Sequence, residues 1–144
     1  IWTDRPAPPQ GRVFAHPEAL AGMSSSEKRQ MLAAGGTYRG HHYIGRKTID
    51  LMRQNQLNET QLKDFRNSYL AGYGYGLGVR TMMDPGAGYS PTSIGEFGWT
   101  GMAGTYTSID PSEGFSVVYM HQLDPNMEEE HHHRVRSVAY GLLR

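Results

Sequence analysis

Apolar residues recur at helical spacing in three segments of the first half of the chain. In SSSEKRQMLAAGG, Ser24 and Glu27 have the spacing of a capping box, and two glycines stand where a helix would end. The next segment, GRKTIDLMRQNQL, places Ile49, Met52 and Leu57 on one helical face. In NETQLKDFRNSYL, an asparagine cap precedes a leucine, a phenylalanine and a tyrosine at steps of three and four. The pattern therefore predicts three short helices.

After Leu70 the spacing of apolar residues changes from helical to alternating. Between Tyr73 and Val79 large apolar residues alternate with glycines, which predicts a strand. Two more strands are predicted at about Phe97–Ile109 and Phe115–Gln122. The segment DPSEG between them has a proline that presets φ and a glycine that accepts a positive φ. We therefore predict a β-hairpin in this part of the chain.

The C-terminal segment NMEEEHHHRVRSVAYGLLR predicts a longer helix. Asn126 is placed to cap it, and three glutamates in the first turn suit the helix dipole. Val135, Val138, Ala139 and Leu142 have the spacing of a buried apolar stripe. Helices flanking an antiparallel sheet indicate the α+β fold class.

Size and charge narrow the classes of function. At 144 residues the chain has the size of one compact domain. Its 14 Lys and Arg residues balance 14 Asp and Glu residues, so no positive field favours nucleic acid or an anionic membrane. No apolar run approaches the roughly 20 residues that span a bilayer. The absence of cysteine excludes disulfides and thiolate metal sites, and it leaves the redox compartment open.

The N-terminal residues differ in composition from the rest of the chain. Residues 1–20 contain repeated prolines and little periodicity, which predicts an extended lead-in. Residues 21–144 are predicted to form the domain. Because the chain starts at Ile1 and not at a methionine, we expect it to be a processed product or a fragment.

Two motifs look catalytic but have a simpler structural explanation. The glycines at alternate positions from Gly72 to Gly78 lack the spacing of a phosphate-binding loop, and they suit a strand that a neighbouring backbone approaches closely. Ser25 and Lys28 have a Ser-x-x-Lys spacing. However, Arg29 and a glutamine follow in place of the apolar residues that would desolvate the lysine. We therefore do not expect Ser25 to be a nucleophile.

Histidines and a tyrosine offer two more candidates. Successive residues of a helix point about 100° apart, so the run His131–His133 cannot bind one metal together. We predict a solvated helix face there, with His131 near the apolar edge, and we expect no metal site and no cofactor. Tyr106 and Ser108 have a Tyr-x-Ser spacing, but both are placed in the middle of a strand.

Three segments together resemble a known superfamily. GGTYRGHHYIGRKTIDLMRQNQL, GYGYGLGVR and GEFGWTGMAGTYTSIDPSEGFSVVYMHQ look like the C-terminal part of the serine β-lactamase, DD-peptidase and esterase superfamily, in its class C-like branch. The resemblance covers roughly Ala21 to Arg144, and it lies in the order of the parts. It implies an antiparallel sheet flanked by helices that forms the C-terminal portion of a β-lactamase-like domain.

The resemblance assigns a substrate-binding role to Trp99, Thr100 and Gly101. In this superfamily a Lys-Thr-Gly motif, or Trp-x-Gly in esterase-like members, lies on the strand that lines the active-site cleft. The backbone N–H of Met102 would then be one donor to the developing oxyanion. The superfamily's Ser-x-x-Lys nucleophile helix and Tyr-x-Asn loop precede this region. The resemblance therefore implies that both lie outside this chain.

The expected function is part of a serine hydrolase that transfers an acyl group to water from an ester, amide or β-lactam. Without the nucleophile segment, we expect the chain to be inactive alone. Trp99 stands where β-lactamases and peptidases place a lysine. Because a substrate carboxylate would lose that cation, esters and amides without a carboxylate are favoured over penicillins.

A second interpretation from a different class stays open at this point. The chain could be a non-catalytic binding module that uses Tyr73, Tyr75, Trp99 and Tyr106 as an aromatic platform. The sequence encoded upstream of Ile1 would distinguish the two, because a hydrolase needs a Ser-x-x-Lys followed by a Tyr-x-Asn or Tyr-x-Ser.

The resemblance also predicts a partner. In the superfamily, N-terminal strands pair beside the strand that corresponds to Phe115–Gln122. We therefore expect an open edge there, with Phe115, Val117 and Tyr119 on one face. A homo-oligomer, or a complex with a polypeptide that carries the missing half, would cover this edge.

Overall fold

The computed structural model describes residues 20–66 and 68–144. The predicted lead-in lies outside these residues except for Leu20, so the division into a lead-in and a domain stays a prediction. Among the described residues the helices are short apart from the last one. They are α1 (Ser25–Ala33), α2 (Arg46–Met52), α3 (Glu59–Phe65), a 3₁₀ helix (Ser68–Leu70) and α4 (Glu128–Tyr140).

The strands in the described residues form two antiparallel sheets. The small sheet pairs β1 (Thr37–Tyr38) with β2 (His41–His42). The large sheet has five strands in sequence order, each paired with the next. The predicted α+β class, with an antiparallel sheet flanked by helices, is confirmed. The five strands are β3 (Tyr73–Tyr75), β4 (Arg80–Met82), β5 (Phe97–Thr100), β6 (Tyr106–Asp110) and β7 (Phe115–Tyr119).

The starts of α1 and α3 follow the predicted capping boxes. The Glu27 N–H donates to Ser24 Oγ at 3.3 Å, and the Ser24 N–H donates to the Glu27 carboxylate at 2.9 Å. Asn58 and Gln61 exchange the same two bonds, both at 3.0 Å. Each box satisfies N–H groups that a helix start leaves without partners. Ser25 is exposed in the first turn of α1, as the capping explanation requires.

The glycine-rich strand predicted between residues 73 and 79 is too long. β3 ends at Tyr75, and the chain turns before β4 begins at Arg80. The Gly76 N–H donates to Val79 O at 2.8 Å, which closes the turn. Gly78 has a φ of 79°, a conformation that glycine adopts without steric cost. Alternation of apolar residues continues through this turn, and it therefore hid the second strand.

The strand predicted at Phe97–Ile109 is also two strands, β5 and β6. Between them the Gly104 N–H donates to Gly101 O at 2.9 Å, which makes residues 101–104 a β-turn. The Gly101 N–H donates to Thr105 O at 2.8 Å and continues the pairing. This turn, called the donor turn below, carries Met102.

The predicted hairpin of the DPSEG segment is confirmed between β6 and β7. Asp110 Oδ1 accepts from the Ser112 N–H at 3.0 Å, and Gly114 has a φ of 61°. β7 ends at Tyr119, three residues before the predicted end. Among the described residues β7 pairs only with β6, so it forms the edge of the sheet.

Helices α1 and α2 cover one face of the large sheet with an apolar core. Phe97 of β5 and Ile109 of β6 lie opposite each other in the register, which puts both on this face. They pack with Ala33 of α1 and Ile49 of α2, and all four are buried. The hydrophobic effect acts on this face without directional partners. Half-buried residues complete the cluster: Leu32, Ile44, Met52 and Val79.

Helix α4 covers the opposite face with mainly polar residues. Its buried residues are Glu128, His132, Arg136 and Tyr140, at steps of four. The His132 ring lies 4.8 Å from the ring of Tyr106, centroid to centroid. The Tyr140 hydroxyl donates to a carboxylate oxygen of the sheet at 2.8 Å. Hydrogen bonds and ring contacts therefore hold this helix.

The prediction that this helix buries an apolar stripe is wrong. Val138 is 69% exposed and Leu142, beyond the helix end, is 77% exposed, while Val135 and Ala139 are only half-buried. The sheet face beneath α4 presents carbonyl, carboxylate and tyrosine groups. A polar stripe can bind these groups, whereas an apolar stripe would leave them without partners.

A buried ion pair lies in the sheet beneath α4. Arg80 Nη2 is 3.5 Å from Glu96 Oε1, and the Ser108 hydroxyl donates to the same oxygen at 2.5 Å. The Arg80 guanidinium lies 5.1 Å from the Tyr73 ring centroid and 4.9 Å from that of Tyr106. Burial raises the pKa of Tyr73, and the Glu96 carboxylate raises it further. Burial also raises the pKa of Tyr106. Tyr73 and Tyr106 are therefore neutral, and their aromatic rings stabilise the Arg80 cation.

This burial also corrects the prediction that four aromatic residues form a binding platform at the surface. Tyr73 is 0% and Tyr106 is 1% exposed, so they cannot contact a partner molecule at the surface. Of the four proposed platform residues, Trp99 is exposed and Tyr75 is half-buried.

The helices in residues 20–66 and 68–144 include none with the length and apolar character that a bilayer crossing requires.

Candidate functional site

The predicted site residues lie together at one cavity. Trp99, Thr100, Gly101 and Met102 line a cavity of about 720 Å³ between the end of β5 and the first turn of α4. The structure thus brings the Trp-Thr-Gly strand and the Met102 turn to a common opening. Six more residues complete the lining: Tyr69, Asn126, Met127, Glu128, Glu129 and Glu130.

Aromatic contacts hold Trp99 at the cavity wall. Its ring centroid lies 5.4 Å from that of Tyr75, edge to face. Tyr75 in turn contacts Phe65 of α3 at 5.6 Å. Trp99 is 44% exposed, so one part of the indole is fixed by packing and the other part is free to contact a ligand.

The Met102 N–H can donate a hydrogen bond to a ligand, as far as the described part of the chain shows. Within the described residues it donates to no carbonyl or side chain. Gly101 O accepts from Gly104 inside the turn. Because the Gly101–Met102 peptide is trans, the Met102 N–H points to the opposite side, away from the turn interior. A backbone donor without an acceptor in its own turn is a group that can stabilise negative charge on a ligand.

The charges around the cavity are negative. Glu128, Glu129 and Glu130 line it, and the described residues of its lining include no lysine, arginine or histidine. Arg134, one helical turn further on, pairs with the Glu130 carboxylate at 2.5 Å. Burial raises the pKa of Tyr69, and the nearby Glu128 carboxylate also raises it, so the phenol stays protonated. A ligand carboxylate at this position would be repelled by the carboxylates of Glu128 and Glu129.

Other candidate residues from the sequence lie elsewhere. Ser25 and Lys28 belong to α1, and neither lines this cavity. His132 is 1% exposed, which corrects the prediction that the histidine run forms a solvated face. In residues 20–66 and 68–144, no three His, Asp or Glu side chains form a group suited to a metal ion.

Sequence reasoning missed part of the cavity wall. The sequence pattern explains the three glutamates by the helix dipole alone and places Tyr69 on a helix face. All four side chains reach the cavity because the 3₁₀ helix and the start of α4 meet beside the end of β5. The run Asn-Met-Glu-Glu-Glu was a visible signal, but only the position of the helix start gives it this meaning.

Family comparison agrees with the geometry. The sequence matches the Beta-lactamase family over residues 2–140, which is nearly the whole chain. The chain belongs to the Beta-lactamase family. The superfamily predicted from the three sequence segments is therefore confirmed, while the roles of individual residues of this Beta-lactamase family member stay predictions.

Two curated relatives come from Mycobacterium tuberculosis. Protein Rv1367c is 30% identical over an alignment of 106 residues, and the match covers 68% of this chain and 26% of that protein. Uncharacterized protein MT1414, from another strain, matches with the same values. The chain thus spans about a quarter of the length of the curated relatives that it matches.

A solved structure shares the fold. EstCE1, described as a hydrolase with promiscuous acyltransferase activity, aligns with a TM-score of 0.61 and 23% sequence identity. The alignment covers 78% of this chain and 27% of EstCE1. At this identity the likeness shows the fold of this Beta-lactamase family member.

Proposed function

We propose that this chain supplies the substrate-binding strand and one oxyanion donor of a serine hydrolase. The observation that carries the proposal is the Met102 N–H, which has no acceptor among the described residues and lies at a cavity lined by Trp99, Thr100 and Gly101. Membership of the Beta-lactamase family supports a hydrolase. The EstCE1 description, a hydrolase with promiscuous acyltransferase activity, supports acyl transfer.

The proposed reaction proceeds through an acyl-enzyme. A serine hydroxyl attacks the substrate carbonyl carbon, its proton passes to a base, and negative charge develops on the carbonyl oxygen. The Met102 N–H stabilises that charge. The alcohol or amine then leaves with a proton, and water releases the acyl group. In this proposal the nucleophile comes from polypeptide other than the described residues, since Ser25 lies in the exposed first turn of α1 and does not line the cavity.

The proposed substrates are esters or amides without a carboxylate near the scissile bond. Trp99 stands at the position where a lysine would bind such a carboxylate. Glu128, Glu129 and Glu130 line the same cavity, and among the described residues only Glu130 has an ion-pair partner, Arg134. Negative potential around the opening would lower the local concentration of anionic substrates. Penicillins, which carry a carboxylate, are therefore poor candidates.

A test of the donor replaces Met102 by proline. Position 102 is the second residue of the β-turn, where proline is favoured, and its φ is not positive. Met102→Pro therefore removes the N–H with little strain. In the complete gene product, we expect kcat for a short-chain ester to fall about 10²–10³-fold. Met102→Leu keeps the N–H and is the reference. Equal kcat values in the two variants would contradict the proposal.

The isolated 144-residue chain provides a second test. We expect no hydrolysis of a chromogenic cephalosporin or a short-chain ester above background, because the proposed nucleophile is elsewhere. Turnover that disappears in Ser25→Ala would show that the capping-box explanation of Ser25 is wrong.

We further propose that the outer edge of β7, which has no paired strand among residues 20–66 and 68–144, pairs with another polypeptide, either a second copy or the one that carries the nucleophile. Unpaired N–H and C=O groups of an edge strand favour such pairing. Sedimentation at micromolar concentration should show association, and Val118→Lys should weaken it. Val118 is 37% exposed on β7. Val138→Lys on the exposed face of α4 is the matched control. A well-folded monomer of the unchanged chain would contradict this proposal.

A further inference from the structure

The donor turn is held by the segment between β7 and α4, residues 120–127. Asn126 Nδ2 donates to Met102 O at 3.1 Å. The Leu123 N–H donates to the next carbonyl, Ala103 O, also at 3.1 Å. Two consecutive carbonyl groups of the turn are thereby fixed, and with them the peptides that follow Met102 and Ala103. The second of these peptides carries the Gly104 N–H, which donates to Gly101 O at 2.9 Å. Gly101 O lies in the same trans peptide as the Met102 N–H, on the opposite side, so fixing the turn also fixes the direction of this N–H.

Helix α4 fixes a third carbonyl of the turn. His132 Nε2 lies 2.8 Å from Gly104 O. Since a carbonyl only accepts, Nε2 must carry the proton and donate. The His132 ring is held between Tyr106, at 4.8 Å, and Tyr119, at 6.4 Å and nearly perpendicular. This packing leaves the imidazole little freedom to move away from the turn.

Side-chain packing of the turn itself is weak. The Met102 side chain is 95% exposed, so it contributes almost no apolar contact that could hold the turn in place. Gly101 and Gly104 have no side chains to contribute. The orientation of the turn therefore depends on the hydrogen bonds that its carbonyl groups accept.

Asn126 links the turn to the start of α4. While its Nδ2 donates to Met102 O, its Oδ1 accepts from the Glu128 N–H at 3.3 Å. One orientation of the amide serves both contacts, with nitrogen toward the carbonyl and oxygen toward the N–H. The sequence predicted Asn126 as a helix cap, and the structure adds a second contact that the cap alone does not need. Met127, with a φ of 48°, occupies the N-cap position.

We propose that Asn126 and His132 are positioning residues that hold the Met102 N–H toward the cavity. The inference rests on the proposed function, in which this N–H stabilises an oxyanion. A donor that is already oriented costs no reorganisation when negative charge develops, and that is the main advantage of an enzyme site over water. Neither residue needs to touch the substrate for this role.

The surroundings of His132 favour the neutral ring that the proposal requires. Burial lowers the pKa of His132, while its bond to Gly104 O and the Glu128 carboxylate act in the opposite direction. Arg80 of β4 and Arg136 of α4 lower the pKa as well. The other ring nitrogen, Nδ1, is buried without a partner in the described residues. Nε2 therefore carries the one proton of a neutral imidazole.

Hydrogen exchange of the chain measures the positioning directly. Asn126→Asp keeps the acceptor for Glu128 N–H but loses the donor to Met102 O. We expect exchange of the Gly101 and Gly104 amides to become about five- to tenfold faster, roughly the effect of one lost hydrogen bond, while β6 amides keep their rates. Asn58→Asp, at the cap of α3, is the matched control and should leave the turn unchanged.

His132 is tested in the same experiment. His132→Phe keeps a ring but removes the donor, so the turn amides should again exchange faster. His132→Gln restores an N–H at similar reach and should recover most of the protection. Unchanged turn amides in Asn126→Asp and His132→Phe would overturn the inference. Equal acceleration across the whole sheet would also overturn it, because the residues would then stabilise the fold and not the turn.

Kinetics of the complete gene product separates this inference from the proposed function. Asn126→Asp should lower kcat for a short-chain ester with little change in KM, as Met102→Pro does. Loss of turn protection with no effect of Met102→Pro on kcat would disprove the oxyanion role and retain the positioning of the turn. A full effect of Met102→Pro with normal turn exchange in Asn126→Asp would retain the oxyanion role and disprove the positioning.

Discussion

The two faces of the five-stranded sheet are built on different principles. Toward α1 and α2, Phe97 and Ile109 pack with Ala33 and Ile49 in an apolar core. Toward α4, the buried sheet residues are mainly an ion pair, tyrosines and carboxylates. The apolar face is stabilised by area removed from water, which needs no particular partner. The polar face is stabilised by directional contacts, each of which needs a specific partner.

This difference matters for the proposed site. His132, which holds the donor turn at Gly104, is part of the polar face and contacts the Tyr106 ring there. An apolar helix stripe could cover the sheet, but it could not hold a carbonyl of the turn in one direction. In the proposed site the polar face would thus orient the donor turn, whereas the apolar face removes large side chains from water.

The largest expected effect is a cavity on the apolar face. Phe97 is 1% exposed, and Phe97→Ala should lower the free energy of unfolding by about 3–5 kcal/mol. Phe115→Ala is the matched control, because Phe115 is half-buried at the edge of the other face and should cost less. Urea unfolding of the two variants measures the difference. Equal losses would show that the faces do not differ in this way.

On the polar face, the expected signature is coupling between two residues. Arg80→Met leaves the Glu96 carboxylate buried without its cation, which is strongly destabilising. Adding Glu96→Gln removes that charge and should recover about 1–3 kcal/mol of the loss. Urea unfolding of both single variants and the double variant gives the interaction energy. Simple addition of the two losses would contradict a coupled polar face.

A smaller effect is expected from pH. Burial lowers the pKa of His132 from its ordinary value of 6.5. Between the folded-state pKa and 6.5 the unfolded chain binds more protons, so stability is complete above about pH 6.5 and falls as pH decreases below it. His132→Gln should flatten this slope. Urea unfolding at several pH values measures this slope of stability against pH.

His133→Gln is the control and should flatten the slope less, since burial lowers the pKa of His133 but the residue is not fully buried. An unchanged slope in His132→Gln would contradict the prediction.

The smallest expected effect lies on the outer side of α4. Val138 is 69% exposed, so Val138→Ser should change the free energy of unfolding by less than about 0.5 kcal/mol. A buried apolar stripe would instead require a loss of about 1.5–3 kcal/mol. Thermal or urea unfolding distinguishes the two values, and the larger one would restore the stripe that the sequence predicted.

Local signals in the sequence were good predictors where three or four residues contain the whole interaction. The capping boxes at Ser24 and Asn58 form as predicted, and so does the turn before Gly114. Trp99 and Thr100 lie at the end of β5 and line a cavity together with Gly101, while their role in binding a substrate stays a prediction. In contrast, the turn between Gly101 and Gly104 was overlooked, because the surrounding residues continue to look like a strand.

The sequence by itself determined the family, the α+β class, the helix starts and the strand on which the candidate site lies, because these follow from short motifs and their order. The face that α4 buries was decided only by the tertiary structure. Arg136 is on the buried side of α4, where it donates to the Tyr73 hydroxyl at 3.4 Å, and the two residues are 63 positions apart in the sequence. His132 lies there because Gly104 O accepts its proton. Hydrophobic periodicity cannot reveal such partners, since it measures affinity for water and carries no information about which distant group a side chain will meet.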